Sequence, residues 1–221
     1  MSDDSFFREV NEEIRQDKAK ALWDRYGALV IGLAVAIVLG TAAFVAYEYW
    51  TGSQASRSGD DFARALTLAN EGKNDEALAA LKALETDGYG AYPVLARMRA
   101  ATVLIEKGDF AGAVAGFDAV ANDNSVPMSM RDMARLRAAL VLVDNGSYAD
   151  VSQRVEQLSA DTNPLRHAAR EALGLAAWKE SRNQDALKLF EQISADAGAP
   201  RDARERAALM IELIRGSGPA S

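Results

Sequence analysis

The sequence predicts an all-α fold in which one N-terminal transmembrane helix precedes a solenoid of helix pairs. Three observations support this prediction: an uncharged apolar stretch near the N-terminus, prolines that recur at nearly constant spacing, and apolar positions that repeat in step with them. We divide the chain into an N-terminal segment (1–25), a membrane helix (26–50), a linker (51–59), a repeat domain (60–215) and a flexible tail (216–221).

The apolar stretch extends from Tyr26 to Tyr47, and its 22 residues carry no charge. As a helix it would be about 33 Å long, close to the roughly 30 Å hydrocarbon core of a bilayer. Tryptophan and tyrosine lie at both ends, as is typical of side chains in the headgroup region. Two alternatives are a buried core helix, which rarely runs so long without charge, and a cleaved signal peptide, which has a shorter apolar region. The sequence favours an uncleaved membrane anchor.

Basic residues are distributed unequally around this stretch. Four lie between Arg15 and Arg25, whereas the first one after the stretch is Arg57. Because lysine and arginine are enriched in cytoplasmic flanks, we expect a cytoplasmic N-terminus and a translocated region 51–221. In a bacterium, that region would lie in the periplasm. Segment 1–25 itself is predicted to be a weakly amphipathic helix.

Small residues recur at every fourth position of the stretch, at Ala28, Gly32, Ala36 and Gly40. Such a row lets a second membrane helix approach closely, although small residues are also common in membrane helices in general. The row is therefore a candidate surface for membrane-helix packing.

Beyond the linker, a repeat of about 36 residues is visible in several sets of positions. Four of the five prolines are spaced 34, 37 and 36 residues apart, and proline suits the first turn of a helix. Between them lie short turns where we expect a positive φ, which glycine adopts most readily. Small residues precede each turn by seven positions, and apolar residues follow five, nine and twelve positions after its start. The prolines are Pro93, Pro127, Pro164 and Pro200, and the turns begin at Gly72, Gly108, Gly146 and Ser181. The small residues seven positions before each turn are Ala65, Ala101, Ala139 and Gly174. The apolar sets that follow are Ala77, Ala113, Val151 and Ala186 at five positions, Leu81, Phe117, Val155 and Phe190 at nine, and Leu84, Val120, Leu158 and Ile193 at twelve.

This pattern resembles the tetratricopeptide repeat family, whose usual period is about 34 residues. The resemblance rests on the small residue of the first helix, the turn glycine, the aromatic at Phe110 and Tyr148, the alanine that follows, and the boundary proline. Ser181 departs from the family pattern, because a glycine is expected there. The resemblance implies about four helix pairs and a C-terminal capping helix.

The layout of the whole chain resembles the bacterial ancillary translocon-subunit family. Short motifs carry this likeness: Trp23–Gly27 before the apolar stretch, Tyr49-Trp50 after it, Gly72-Lys73 in the first turn, and Tyr89–Ala91 before the second repeat. The resemblance implies a single-span protein of the bacterial inner membrane with periplasmic repeats. It also implies that the protein associates with the SecYEG channel and with periplasmic chaperones.

The tetratricopeptide resemblance also places an apolar, methionine-containing set of residues along the concave face of the solenoid. Methionine side chains adapt to varied partners, so this face is a candidate groove for an apolar peptide or helix. The alternative is that the C-terminal helix of the chain fills it. The set is Phe62, Leu66, Met98, Thr102, Ile105, Met133, Leu136, Leu140, Val143, Leu175 and Trp178.

The composition argues against several kinds of chemistry. The chain has 25 basic and 32 acidic residues, which disfavours nucleic-acid binding, and it has no cysteine. The single histidine, His167, is expected to be an exposed surface residue, and no phosphate-binding glycine motif occurs. We therefore predict no enzymatic activity, metal or cofactor.

The sequence thus predicts a membrane-anchored protein-binding scaffold that links the translocation channel to periplasmic chaperones or emerging client chains. The alternative is an envelope structural or cell-division coordinating protein that forms homo-oligomers through its repeats.

Overall fold

The computed structural model describes the backbone of residues 3–216 and the side-chain environments of residues 20–216. All regular elements in this range are helical, which confirms the all-α prediction. The elements are α1 (Asp3–Asn70), α2 (Asn74–Asp87), α3 (Tyr92–Glu106), α4 (Phe110–Ala121), α5 (Met128–Asn145), α6 (Tyr148–Val155), a short 3₁₀ turn (Gln157–Ser159), α7 (Arg166–Lys179), α8 (Asn183–Ala195) and α9 (Arg201–Gly216).

The chain forms two compact units, Met1–Gln54 and Ala55–Ser221. In the second unit the end of α1 pairs with α2, and the pairs α3–α4, α5–α6 and α7–α8 follow before α9. Each pair buries an apolar face that a single helix would leave in water. The predicted amphipathic face within segment 1–25 and the predicted tail beyond Gly216 lie outside the described side chains and residues, respectively.

The first unit contains the predicted membrane helix. Within the described residues, one helix is long and apolar enough to cross a membrane, and it covers Lys20–Asn70. Large side chains of its apolar stretch are exposed, as Leu29 (70%) and Val38 (66%) show. This apolar helix is consistent with a single-pass membrane anchor, because water is a poor solvent for such a surface. Among the described residues, no other part of the chain lies within 4 Å of a Cβ position at Gly32 or Gly40, so helix packing through the small-residue row stays a prediction.

Residues 51–59, predicted to be a linker, are helical and belong to α1. Glycine and serine lower helix propensity by up to about 1 kcal/mol each, but this segment contains no proline to break the helix. Local and tertiary hydrogen bonds support it. The Thr51 hydroxyl donates to the Glu48 carbonyl (3.0 Å), and the Tyr89 N–H donates to Ser58 Oγ (2.9 Å).

The repeat pattern is confirmed by burial, since every residue of the four apolar sets is buried. The small residue before the turn lies where the two helices of a pair meet most closely. A Cβ atom built on Gly174 would lie 2.9 Å from Cζ of Phe190, which is less than a real contact allows. The period of about 36 residues therefore reflects the packing of helix pairs.

The expectation of positive φ in the turns is confirmed at two glycines, Gly72 (φ 74°) and Gly108 (φ 78°). It is wrong at Gly146, whose φ of −135° is extended: the next residue, Ser147, is the N-cap of α6 and forms a capping box with Asp150. In the fourth turn Ser181 itself adopts a φ of 61°. The left-handed turn is thus kept there without glycine.

The loops between repeats are fixed by arginine–aspartate pairs. Arg97 of α3 contacts Asp123 at 2.9 Å, and Arg166 of α7 contacts Asp196 at 2.8 Å. His167 also lies 2.8 Å from Asp196, and its side chain is only 12% exposed, so the expected exposed histidine is wrong. The cause is the loop after α8, which folds back onto the start of α7.

Candidate protein-binding groove

Two neighbouring cavities lie along α5, the first between α5 and α3 and the second between α5, α4 and the end of α3. Together we call them the α3–α5 groove. The first has a volume of about 310 Å³ and the second about 440 Å³. Met133 and Arg137 line both, so the cavities follow one another along α5. The remaining lining residues are Leu95, Met98, Arg99, Thr102 and Met130 in the first cavity, and Ile105, Phe110, Phe117, Leu136, Leu140, Val141, Asp144 and Asn145 in the second.

The structure brings six of the eleven predicted groove residues together. They share helical spacing on the facing sides of α3 and α5, and two are partly open to solvent, with Leu140 46% and Met133 38% exposed. An apolar side chain that remains this exposed in a folded domain is available to a partner. The six residues are Met98, Thr102, Ile105, Met133, Leu136 and Leu140.

The other five predicted residues line neither cavity. Phe62 packs against the core of the first repeat, with its ring 6.0 Å from that of Tyr92. Val143 and Leu175 pack against cores of the third and fourth repeats. Leu66 and Trp178 lie outside both cavity linings. Phe62, Val143 and Leu175 thus pack within the chain, whereas Trp178 is 37% exposed.

Charged lining residues were missed by the sequence reasoning. Arg137 lies four residues after Met133 and Asp144 lies seven further on, so helical spacing could have placed both on the groove side of α5. Arg99 faces the first cavity, with its guanidinium 3.4 Å from Glu106. The groove is therefore apolar along its length and carries a cation near its middle.

The C-terminal helix packs at the far end of the repeats. Its buried residues Ala203, Ala207, Ile211 and Ile214 join the core formed with α8, and α9 also packs on α7. Within the described residues no extensive packing joins α9 to α3 or α5. Helix α9 thus covers the last repeat, as a capping helix does, and leaves the α3–α5 groove open.

Comparison with known proteins identifies the repeats. A sequence model of the tetratricopeptide repeat-like domain matches residues 20–170, which is more than half of the chain. The chain belongs to this family. Domains of this kind are in general non-catalytic scaffolds for protein–protein interaction, in agreement with the open groove. Neither the curated proteins nor the solved structures gave a match.

Proposed function

We propose that this protein is a membrane-anchored, non-enzymatic scaffold whose α3–α5 groove binds a segment of another protein. The observation that carries the proposal is the open apolar groove, in a chain that also has a helix suited to anchor it in a membrane. In this proposal the apolar helix lies in a bacterial inner membrane, with the N-terminus in the cytoplasm and the repeats in the periplasm.

The proposed partners are subunits of the protein-translocation channel, and periplasmic chaperones or clients that emerge from it. Support comes from the short motifs around the apolar stretch and in the first repeats, which resemble those of ancillary translocon subunits. A scaffold beside the channel would hold a chaperone where unfolded chains appear. Its membrane helix would meet the channel through the small-residue row defined by Ala28, Gly32, Ala36 and Gly40.

Site-specific photocrosslinking in intact membranes tests this function. A photoreactive residue at Leu140, in the groove, should yield adducts with a chaperone or client. The matched position Leu209 on α9, which is 71% exposed and outside the groove, should not yield the same adducts. Adducts from Gly32 or Gly40 to channel subunits would support the proposed location. Adducts to other copies of this chain alone, from all positions, would instead favour an oligomeric envelope structural protein.

A further inference from the structure

Arg137 occupies an unusual position at the junction of the two cavities. Its Nη1 lies 3.5 Å from Thr102 Oγ1, a long hydrogen bond, and no acidic side chain of the described residues forms a salt bridge with it. Neighbouring arginines of α3 and α5 are paired instead: Arg99 with Glu106, and Arg135 with Asp132. A guanidinium offers five donors, and most of those of the exposed Arg137 have no acceptor among the described residues.

The groove walls restrict the form of a partner. The walls are helices, whose backbone groups are already hydrogen-bonded within α3, α4 and α5. An extended segment in this groove gains no backbone hydrogen bonds from these walls. A helix pairs these groups internally. From Met130 to Asp144 the groove side of α5 is about 21 Å long, the length of about four helical turns.

We propose that the α3–α5 groove selects an amphipathic helix whose apolar face carries one carboxylate, placed to pair with Arg137. This inference rests on the proposed function, in which the groove binds a protein segment. The methionines at positions 98, 130 and 133 and Leu140 contact the apolar face. The carboxylate accepts two parallel hydrogen bonds from the Arg137 guanidinium, the strongest geometry for this pair.

The other charged groups of the groove fix where the carboxylate lies. Asp144 is two helical turns beyond Arg137 and lines the second cavity, so it repels a carboxylate at that end. Arg99 faces the first cavity but already contacts Glu106. Among the charged groups of the groove, Arg137 therefore contributes most to the binding free energy of a partner's acidic side chain.

Peptide binding to the full-length protein in lipid nanodiscs tests the inference. The probe is a fluorescent 15-residue amphipathic helical peptide whose apolar face of leucine, methionine and alanine carries one central glutamate; its match has glutamine instead, and empty nanodiscs give the lipid background of both. We expect the glutamate peptide to bind about fivefold tighter, as for a partly exposed charge-assisted hydrogen bond. Arg137→Gln should abolish this preference, and Arg137→Glu should transfer it to a peptide with central lysine. Arg204→Glu, at an exposed arginine of α9, is the charge-matched control and should leave the preference intact.

The outcomes separate this inference from the proposed function. If the glutamate and glutamine peptides bind equally to the native protein, pairing with Arg137 is wrong while peptide binding by the groove stands. If neither peptide binds, the proposed groove function is contradicted as well. Circular dichroism of each variant confirms that it is folded, so that a loss of preference reports on the groove.

Discussion

The N-terminal and C-terminal halves of the repeat domain have the same apolar pattern. They differ in the contact between the first helices of successive repeats. In the C-terminal half, α5 packs on α7 and α7 packs on α9. Polar contacts reinforce this packing, as Arg206 of α9 binds Glu171 of α7 through two hydrogen bonds of 2.7 and 2.9 Å. Between α3 and α5 the structure has the groove and the 3.5 Å contact of Arg137 with Thr102. Similar repeats therefore form a packed face in one half and an open face in the other.

The difference arises from side chains outside the repeat pattern. Helix α7 presents alanines to α5, including Ala169, Ala172 and Ala176, and small residues allow helices to approach closely. Helices α3 and α5 instead present methionine, arginine and other long side chains to each other. Bulk and charge keep these two helices apart. The comparison indicates that the core pattern specifies the fold, whereas the residues between pattern positions specify which face stays open.

The largest effect is expected from deleting a buried ring in the packed half. Phe190→Ala should lower the free energy of unfolding by about 3–5 kcal/mol, because Phe190 is fully buried among α7, α8 and α9. Leu140→Ala, on the open face, should cost less than about 1 kcal/mol, since nearly half of that side chain is already in solvent. Thermal and denaturant unfolding of both variants gives the two values. Equal losses would mean that the open face is closed in solution.

Most of the fold could be predicted from the sequence, because the pattern repeats. A single buried alanine is uninformative, but Ala65, Ala101, Ala139 and Gly174 recur with turns and prolines at constant offsets. The uncharged stretch from Tyr26 to Tyr47 was equally clear, since few soluble helices lack charge over such a length.

The parts that could not be predicted depend on tertiary contacts. Helix formation over residues 51–59 is supported by the contact of Ser58 with Tyr89, which is distant in sequence. The His167 side chain is mostly covered because Asp196, in the loop after α8, lies against it. The groove was only partly predicted, because the sequence does not show which first helices separate and which pack. Leu175 and Leu140 each lie six residues before the turn of their repeat, yet Leu175 packs against the core that includes α9 and Leu140 lines the groove.

A smaller effect is expected at the junction between the third and fourth repeats. The Lys179 ammonium donates to three carbonyl oxygens at the end of α5, those of Val143 (3.0 Å), Asp144 (2.7 Å) and Gly146 (3.1 Å). A cation at this position also interacts favourably with the helix dipole. Lys179→Gln should therefore lower the free energy of unfolding by about 1 kcal/mol. Lys188→Gln, at an exposed position of α8, is the matched control and should change it by less than about 0.5 kcal/mol. A larger loss of stability in Lys188→Gln than in Lys179→Gln would show that Lys179 does not join the two repeats.

The smallest expected effect is on the stability of the fold at low pH. It depends on one loop aspartate in each half of the repeat domain. In the open half, hydrogen bonds from the Ser125 hydroxyl and N–H and from Arg97 lower the pKa of Asp123 to about 2. In the packed half, hydrogen bonds from Arg166, His167 and the Gly198 N–H hold the pKa of Asp196 even further below its usual range.

Both pKa values are lower in the folded chain than the value of about 3.9 for an unfolded one, so each carboxylate stabilises the fold above about pH 4. Its contribution is lost as the pH falls through the folded pKa, which is about 2 for Asp123 and lower for Asp196. The melting temperature of the native chain should therefore fall as the pH is lowered from about 5 to 2. Asp196→Asn should reduce this dependence more than Asp123→Asn, and Glu212→Gln, an exposed site on α9, should leave it unchanged. An equal or larger change with Asp123→Asn would mean that the loop of the open half is held at least as firmly in solution as that of the packed half.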